Sequence, residues 1–228
     1  HMKFRQLLMV DLVSNIKHNI YLTATFMRTN SKSDKIFQLY FDDQYKYKMK
    51  EYNKYINITQ YDYSLGYLPE HKFRTPKGYS EHRYEKYLIK YKLKYKTFFY
   101  NVLLPIIKDH YLNIKKDGEK CLILVGLKKF GYLLVDSLQK VISELEIGVY
   151  FGEHSKEELD SLDIIVSTVR SAGVGNDIKG LRTVILIDSF RAEHWCRQVP
   201  GRLRELESSV PEFVYLQNRE LSSHRFHG

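Results

Sequence analysis

Hydrophobic patterning is most regular from Lys120 onward, where short apolar runs alternate with longer amphipathic segments. Cys121 to Gly126, Gly148 to Phe151, Asp163 to Ser167, Thr183 to Asp188 and Glu212 to Leu216 are strand-sized runs. Between them, Lys128 to Leu145, a short piece near Lys156 to Leu159, and Ala192 to Arg204 read as helices. Apolar strands separated by helices imply a parallel sheet covered on both faces. Ligands of such a sheet belong at the carboxyl ends of its strands, where Gly126, Ser167, Thr168 and Asp188 fall.

The first half of the chain is less regular. Phe4, Leu7, Leu8, Leu12 and Ile16 recur at helical spacing over residues 3 to 16, and Asn19 to Leu22 reads as a short strand ending in Thr23-Ala24-Thr25. Pro and Gly punctuate Gly66 to Gly78, a predicted loop. Ser80 is a candidate cap for a long helix whose face is Tyr84, Tyr87, Leu88, Tyr91, Tyr95, Phe98, Phe99 and Val102, with lysines flanking it. That aromatic stripe reads as core in preference to a base-stacking platform. Pro105 is expected to bend or end the helix, and Asp117-Gly118 marks a turn and a domain boundary. The resulting division is residues 1–44, a basic Tyr-rich connecting region 45–116, and an α/β domain 117–228.

Charge adds one feature. Of a formal net charge of +9, most sits between Tyr45 and Lys96, where thirteen Lys and Arg face five Asp and Glu among twelve of the nineteen tyrosines. Basic residues interleaved with aromatics suit a nucleic-acid backbone with bases stacked beside it, and equally an ordinary half-buried helix. The longest apolar runs are far short of a membrane span and no signal peptide is visible, so an intracellular, cytoplasmic protein without membrane contact is expected. Cys121 and Cys196 have no metal-ligand spacing. His224 and His227 are read as part of a frayed tail ahead of any metal role, and no metal site is expected.

The candidate chemistry lies between Asp163 and Arg204. Gly173 and Gly175 permit close backbone approach, so their loop suits a phosphate or nucleotide, and Asp177 suits a ribose hydroxyl or a helix cap. Arg202 and Arg204 flank a close approach at Gly201, and guanidinium groups suit bidentate phosphate contact or surface pairs with Glu205 and Glu207. Two parts are absent: no Gly-Lys-Ser/Thr and no Asp-Glu dipeptide occurs, so the chain holds no P-loop and no magnesium carboxylate box.

These residues resemble a known family. IIVSTVRSAGVGNDI is similar to the fifth conserved motif of superfamily two DNA helicases, QVPGRLR to the sixth and YLTATFMR to the third, and CLILVG with its helix stands in place of the fourth. The order extends from about Lys3 to Leu216, and viral and phage recombination or branch-migration helicases of the UvsW type are the nearest in character. The resemblance implies a RecA-like α/β fold, a parallel sheet flanked by helices forming the second helicase domain, preceded by a helical and irregular portion that ends the first. It implies coupling roles for Thr23 and Thr25, DNA contact by Ser167, Thr168 and Lys128, and nucleotide contact by Gly173, Gly175 and Asp177. Gln198 would sense nucleotide, and Arg202, with Arg204, would be the arginine finger. The family pattern places a second arginine three residues after the first, where this chain has Glu205. ATP and Mg2+ would be held mainly by a P-loop half that this chain lacks, and that half and single-stranded or branched DNA are the implied partners. The implied activity is that of an ATP-dependent helicase whose carboxyl-terminal half alone does not hydrolyse ATP. The alternative is a stand-alone nucleic-acid-binding or regulatory module without motor activity.

Overall fold

Five predicted strands and one that the pattern does not announce form a six-stranded sheet, in the order Asn57–Tyr63, Glu212–Asn218, Leu181–Leu186, Lys120–Val125, Ile164–Thr168, Ile147–Tyr150. The computed structural model describes residues 55–76, 78–152, 156–172, 178–187, 203–207 and 209–225, with Val13 and Leu39 singly before them. The strands are β1 Asn57–Tyr63, β4 Lys120–Val125, β5 Ile147–Tyr150, β6 Ile164–Thr168, β7 Leu181–Leu186 and β8 Glu212–Asn218. Every pairing among them is parallel. A two-residue hairpin, β2 Arg74–Thr75 with β3 Gly78–Tyr79, stands apart from this sheet.

Successive residues of a strand point to opposite faces, so each central strand feeds two cores. Cys121, Ile123, Val125, Val166 and Ile185 lie on one face, and Leu122, Leu124, Ile165, Val184 and Leu186 on the other, all buried. The first face is covered by α1 Glu81–Lys90, α2 Lys92–Phe98, α3 Leu104–Ile107 and α4 Lys128–Gln139, through Leu88, Phe98, Ile106, Phe130 and Leu134. The second is met by Leu159 of α5 Lys156–Ser161, by Val169 and Ala172 of α6 Val169–Ala172, and by Leu203. This is the α/β fold class expected from the pattern. By internal contacts the chain divides into a unit of His1–Lys50 and a unit of Glu51–Gly228.

Three expectations are corrected. The helix beginning after Ser80 is not continuous: Tyr91, at φ −100 and ψ 81, ends α1 and starts α2. Nor does Pro105 end it, because helical structure runs on through Lys108–Leu112. The turn before the proline, Phe99–Leu103, is a π-helix. Its wider i→i+5 winding leaves room for a ring that would strike the carbonyl of an ordinary preceding α-turn. The third correction is the tail, where His224 in α7 Ser222–Arg225 is 2% exposed. It accepts the Asn218 amide at Nδ1 (3.1 Å) and meets the Tyr79 hydroxyl at Nε2 (2.9 Å).

Most of the aromatic stripe is core, as expected: Tyr84, Leu88, Tyr95, Phe98, Phe99 and Val102 are buried, whereas Tyr87 is half-buried and Tyr91 is exposed. Ser80 stands at the cap position of α1, where its backbone carbonyl takes the Arg83 and Tyr84 amides.

Candidate nucleic-acid interface at the strand ends

The register of the sheet decides which candidate residues meet. Val125 pairs with Thr168 and Tyr150 with Ser167, so the carboxyl ends of β4, β5 and β6 finish together. The chain then turns into α4 from β4 and into α6 from β6, which brings the segments 126–128 and 168–171 side by side at one edge.

Ser167 is fully buried and its hydroxyl donates to the Tyr150 carbonyl at 2.5 Å, a bond that joins β6 to β5. Thr168 is half-buried. Its Oγ1 accepts the Ser171 amide (3.1 Å) and donates to Ser171 Oγ (2.8 Å), which in turn donates to the Phe151 carbonyl (3.2 Å). Thr168 thereby caps α6 and holds one hydroxyl proton in a relay that an outside acceptor can enter. An ionised phosphate oxygen is a stronger acceptor than the Ser171 hydroxyl, so the proton has reason to turn outward when one arrives.

Lys128, exposed on the first turn of α4, holds its Nζ 5.4 Å from the centroid of the Phe151 ring. The attraction of an ammonium for an aromatic face anchors the cation next to that relay. Tyr132, 52% exposed, meets the same Phe151 ring edge-on at 5.3 Å. Gly131 permits this crowding, since a Cβ there would lie 2.9 Å from the Phe151 ring and 3.3 Å from Val166.

Sequence reasoning missed one participant. Glu85 of α1 is completely buried, and its carboxylate accepts the amides of Gly126 (2.7 Å) and Leu127 (2.5 Å) where β4 turns into α4. Amides at a strand end that opens a helix are those best suited to a phosphate, and here they are held by a side chain of the chain itself. Only the lysine-flanked periodicity of α1 is visible in the sequence around Glu85, and nothing there points 41 residues ahead.

Several assigned residues lie outside the described residues: Thr23, Thr25, Gly173, Gly175, Asp177, Asp188, Gln198 and Arg202. Arg204 is described, exposed and outside any helix, beside Leu203, whose carbonyl accepts the Tyr55 hydroxyl at 3.3 Å. Among the described residues no group of three His, Cys, Asp or Glu side chains is arranged to hold a metal ion. No described helix is long and apolar enough to cross a membrane.

No family model matches the chain. Among solved structures, the C-terminal part of the Fun30 ATPase domain overlaps with a TM-score of 0.46 at 12% identity, covering 65% of this chain and 54% of that one. The helicase domain of Pyrococcus furiosus Hef overlaps with a TM-score of 0.43 at 14% identity, covering 64% of this chain and 31% of that one. In sequence, the chain is similar to the transcript termination protein A18 of Fowlpox virus (strain NVSL), with 30% identity over 109 residues that span 43% of this chain and 23% of the relative's length.

Proposed function

We propose that this chain is the carboxyl-terminal half of an ATP-dependent nucleic-acid helicase or translocase, contributing nucleic-acid contacts and an arginine finger to a P-loop half supplied by another segment. The observation that carries this reading is the joint ending of β4 and β6, where the Thr168 hydroxyl and the Lys128 ammonium share one edge of a parallel sheet. Thr168 would donate its relay proton to a backbone phosphate, Lys128 would neutralise it, and Ser167 would hold the strand end in place through β5. Sequence similarity to a transcript termination protein supports a nucleic-acid setting and adds a nascent transcript to DNA as a candidate strand.

In this reading ATP and Mg2+ are bound chiefly by the other half. The residues assigned to the nucleotide side by the resemblance are Gly173, Gly175, Asp177, Gln198, Arg202 and Arg204. An arginine finger raises phosphoryl-transfer rates by roughly 10³ to 10⁵-fold. The test is reconstitution: the chain alone shows no DNA-stimulated ATP hydrolysis, adding the P-loop half restores it, and Arg202→Ala removes it again. Hydrolysis by the chain alone overturns the assignment.

A second reading, a stand-alone nucleic-acid-binding or regulatory module, is favoured by Glu85, which fills a phosphate-ready pair of amides with a fixed carboxylate. Nucleic-acid binding that persists while no P-loop partner restores hydrolysis selects this reading.

A further inference from the structure

Most aromatic side chains of the Tyr-rich region serve the core, but Tyr67 and Tyr91 are exposed. At the end of α1 the backbone leaves the helix at Tyr91, and the ring is 40% exposed. It lies against Tyr87, with ring centroids 4.2 Å apart. Tyr67, on the loop that follows β1, is 80% exposed. That loop is tied to α2 by the Lys94 ammonium, which donates to the Leu65 carbonyl. The Gly66 backbone beside Tyr67 comes close to Lys94, where an added Cβ would lie 3.6 Å from its Nζ, so this loop runs alongside α2.

The surroundings of this cluster are basic. Lys90 holds its Nζ 5.6 Å from the Tyr91 ring centroid. Lys86, Lys92 and Lys96 are exposed on the same two helices, and none of these four lysines has a carboxylate partner among the described residues. An acidic peptide would answer the lysines and leave the ring faces wet. A polyanion with planar, unpaired bases answers both, because each base offers a π-face and each linkage a negative charge. Glu85 ties the middle of α1 to the strand end at Gly126, and Tyr91 is six residues further along, roughly 9 Å at the helical rise.

We propose that Tyr67, Tyr91 and Lys90, flanked by Lys86 and Lys92, form a stacking platform for single-stranded nucleic acid, distinct from the phosphate contact at Thr168 and Lys128. The proposal shares its ligand class with the functional reading above and extends it by a second surface that takes part in no hydrolysis.

The experiment measures anisotropy of a labelled oligothymidylate with the whole chain across a sodium chloride series, and uses inorganic polyphosphate as a competitor that has charge without bases. The Tyr67→Ala/Tyr91→Ala double variant should lose about 10-fold or more in oligothymidylate affinity, while polyphosphate binding is unchanged. Tyr91→Trp should retain binding. Lys90→Gln and Lys86→Gln should each make the logarithmic salt slope shallower by about 0.7. Both tyrosines are on the surface, and an unchanged urea midpoint for the double variant excludes misfolding. If the double variant binds oligothymidylate like the parent, or loses both ligands equally, the proposal is overturned. Loss of oligothymidylate binding in Thr168→Ala/Lys128→Gln alone, with the tyrosine variants intact, overturns the platform while leaving the strand-end reading standing.

Discussion

The Glu85 carboxylate and the Gly126 amide are 2.7 Å apart, and that bond joins a helix from the Tyr-rich region to the carboxyl end of the central strand β4. Glu85 also takes the Leu127 amide, so two donors at the start of α4 depend on one buried side chain. A hydrogen bond to a charged group contributes more than a neutral one, and a buried donor left unpaired costs about 1–3 kcal/mol. Glu85→Ala is expected to destabilise the fold by about 3 kcal/mol or more in urea unfolding, and Glu85→Gln, which keeps one acceptor, by roughly half as much. An Ala variant that unfolds at the parental urea concentration would show that the bond contributes nothing.

Gly180 makes a second close approach, between chain segments at the opposite end of the strands. Its φ is +72, and a Cβ there would lie 2.2 Å from the Gly118 carbonyl oxygen. Backbone atoms cannot yield as a flexible side chain does, and the left-handed conformation strains any L-residue. Gly180→Ala should therefore cost about 2–4 kcal/mol, measured as a drop in urea midpoint. Gly152 offers a control, because it has positive φ but nothing within 4 Å of an added Cβ. Gly152→Ala should cost about 1 kcal/mol from conformation alone.

The outcome of reading the sequence follows from what each element asks of it. β4, β6 and β7 are buried on both faces, so each carries a run of at least three apolar residues, Cys121–Val125, Ile164–Val166 and Val184–Leu186, that is legible in the sequence. β1 reads NITQYDY, six of its seven residues outside the core, because it is an edge strand paired only with β8. Backbone hydrogen bonds hold it, and these leave no mark on side-chain pattern. The π-turn that carries the chain through Pro105 is likewise a backbone adjustment. At the candidate site, the place of Thr168 at a strand end is legible because strand ends can be located from the pattern. Glu85 was not, since its partners are set by how α1 packs on the sheet. His224 was misread because its partners, Tyr79 and Asn218, come from distant elements.

The stability of the opposite edge should depend on acid. Burial opposes ionisation of Glu119, yet the Ser209 hydroxyl, the Lys116 amide and the Arg182 guanidinium together hold its carboxyl below the ordinary value. The Arg182 contact is 3.1 Å and both side chains are nearly inaccessible. Because the folded-state value is depressed, this stabilisation is fully present above the unfolded value of about 4.3 and is lost as pH falls through the lower folded value. Glu119→Gln should cost about 3 kcal/mol at neutral pH, since it leaves a buried guanidinium uncompensated, and should flatten the acid limb of the stability profile. Parallel acid limbs in the parent and the variant would refute the assignment.

Cys121 gives a chemical probe of the core. It lies on β4 with no exposed surface, and burial pushes its thiol far up, so the reactive thiolate is suppressed. Peptide mapping after iodoacetamide treatment should find Cys121 unmodified in the native chain and modified once urea unfolds it. Labelling under native conditions would mean that β4 opens locally.

His224 ties the carboxyl-terminal helix into the same polar cluster that closes the ends of β1 and β8. Because Nδ1 accepts the Asn218 amide, the ring proton resides on Nε2, where it is donated to the Tyr79 hydroxyl. Asn218 in turn donates to the Tyr84 hydroxyl at 3.3 Å, and Tyr84 shares a 2.8 Å bond with Tyr63. The ring thus joins the hairpin, α1, β1 and β8 through polar atoms that water does not reach. His224→Ala removes an acceptor from a buried amide and a donor from a buried phenol, each worth about 1–3 kcal/mol, and leaves a void the size of an imidazole. The expected loss is about 3 kcal/mol, accompanied by faster hydrogen exchange at the Asn218 amide, which in the parent donates to this ring. His224→Phe restores the volume without the hydrogen bonds, so it should recover part of the stability and none of the Asn218 protection. Equal protection in all three proteins would mean that the amide is shielded by the strand and not by His224.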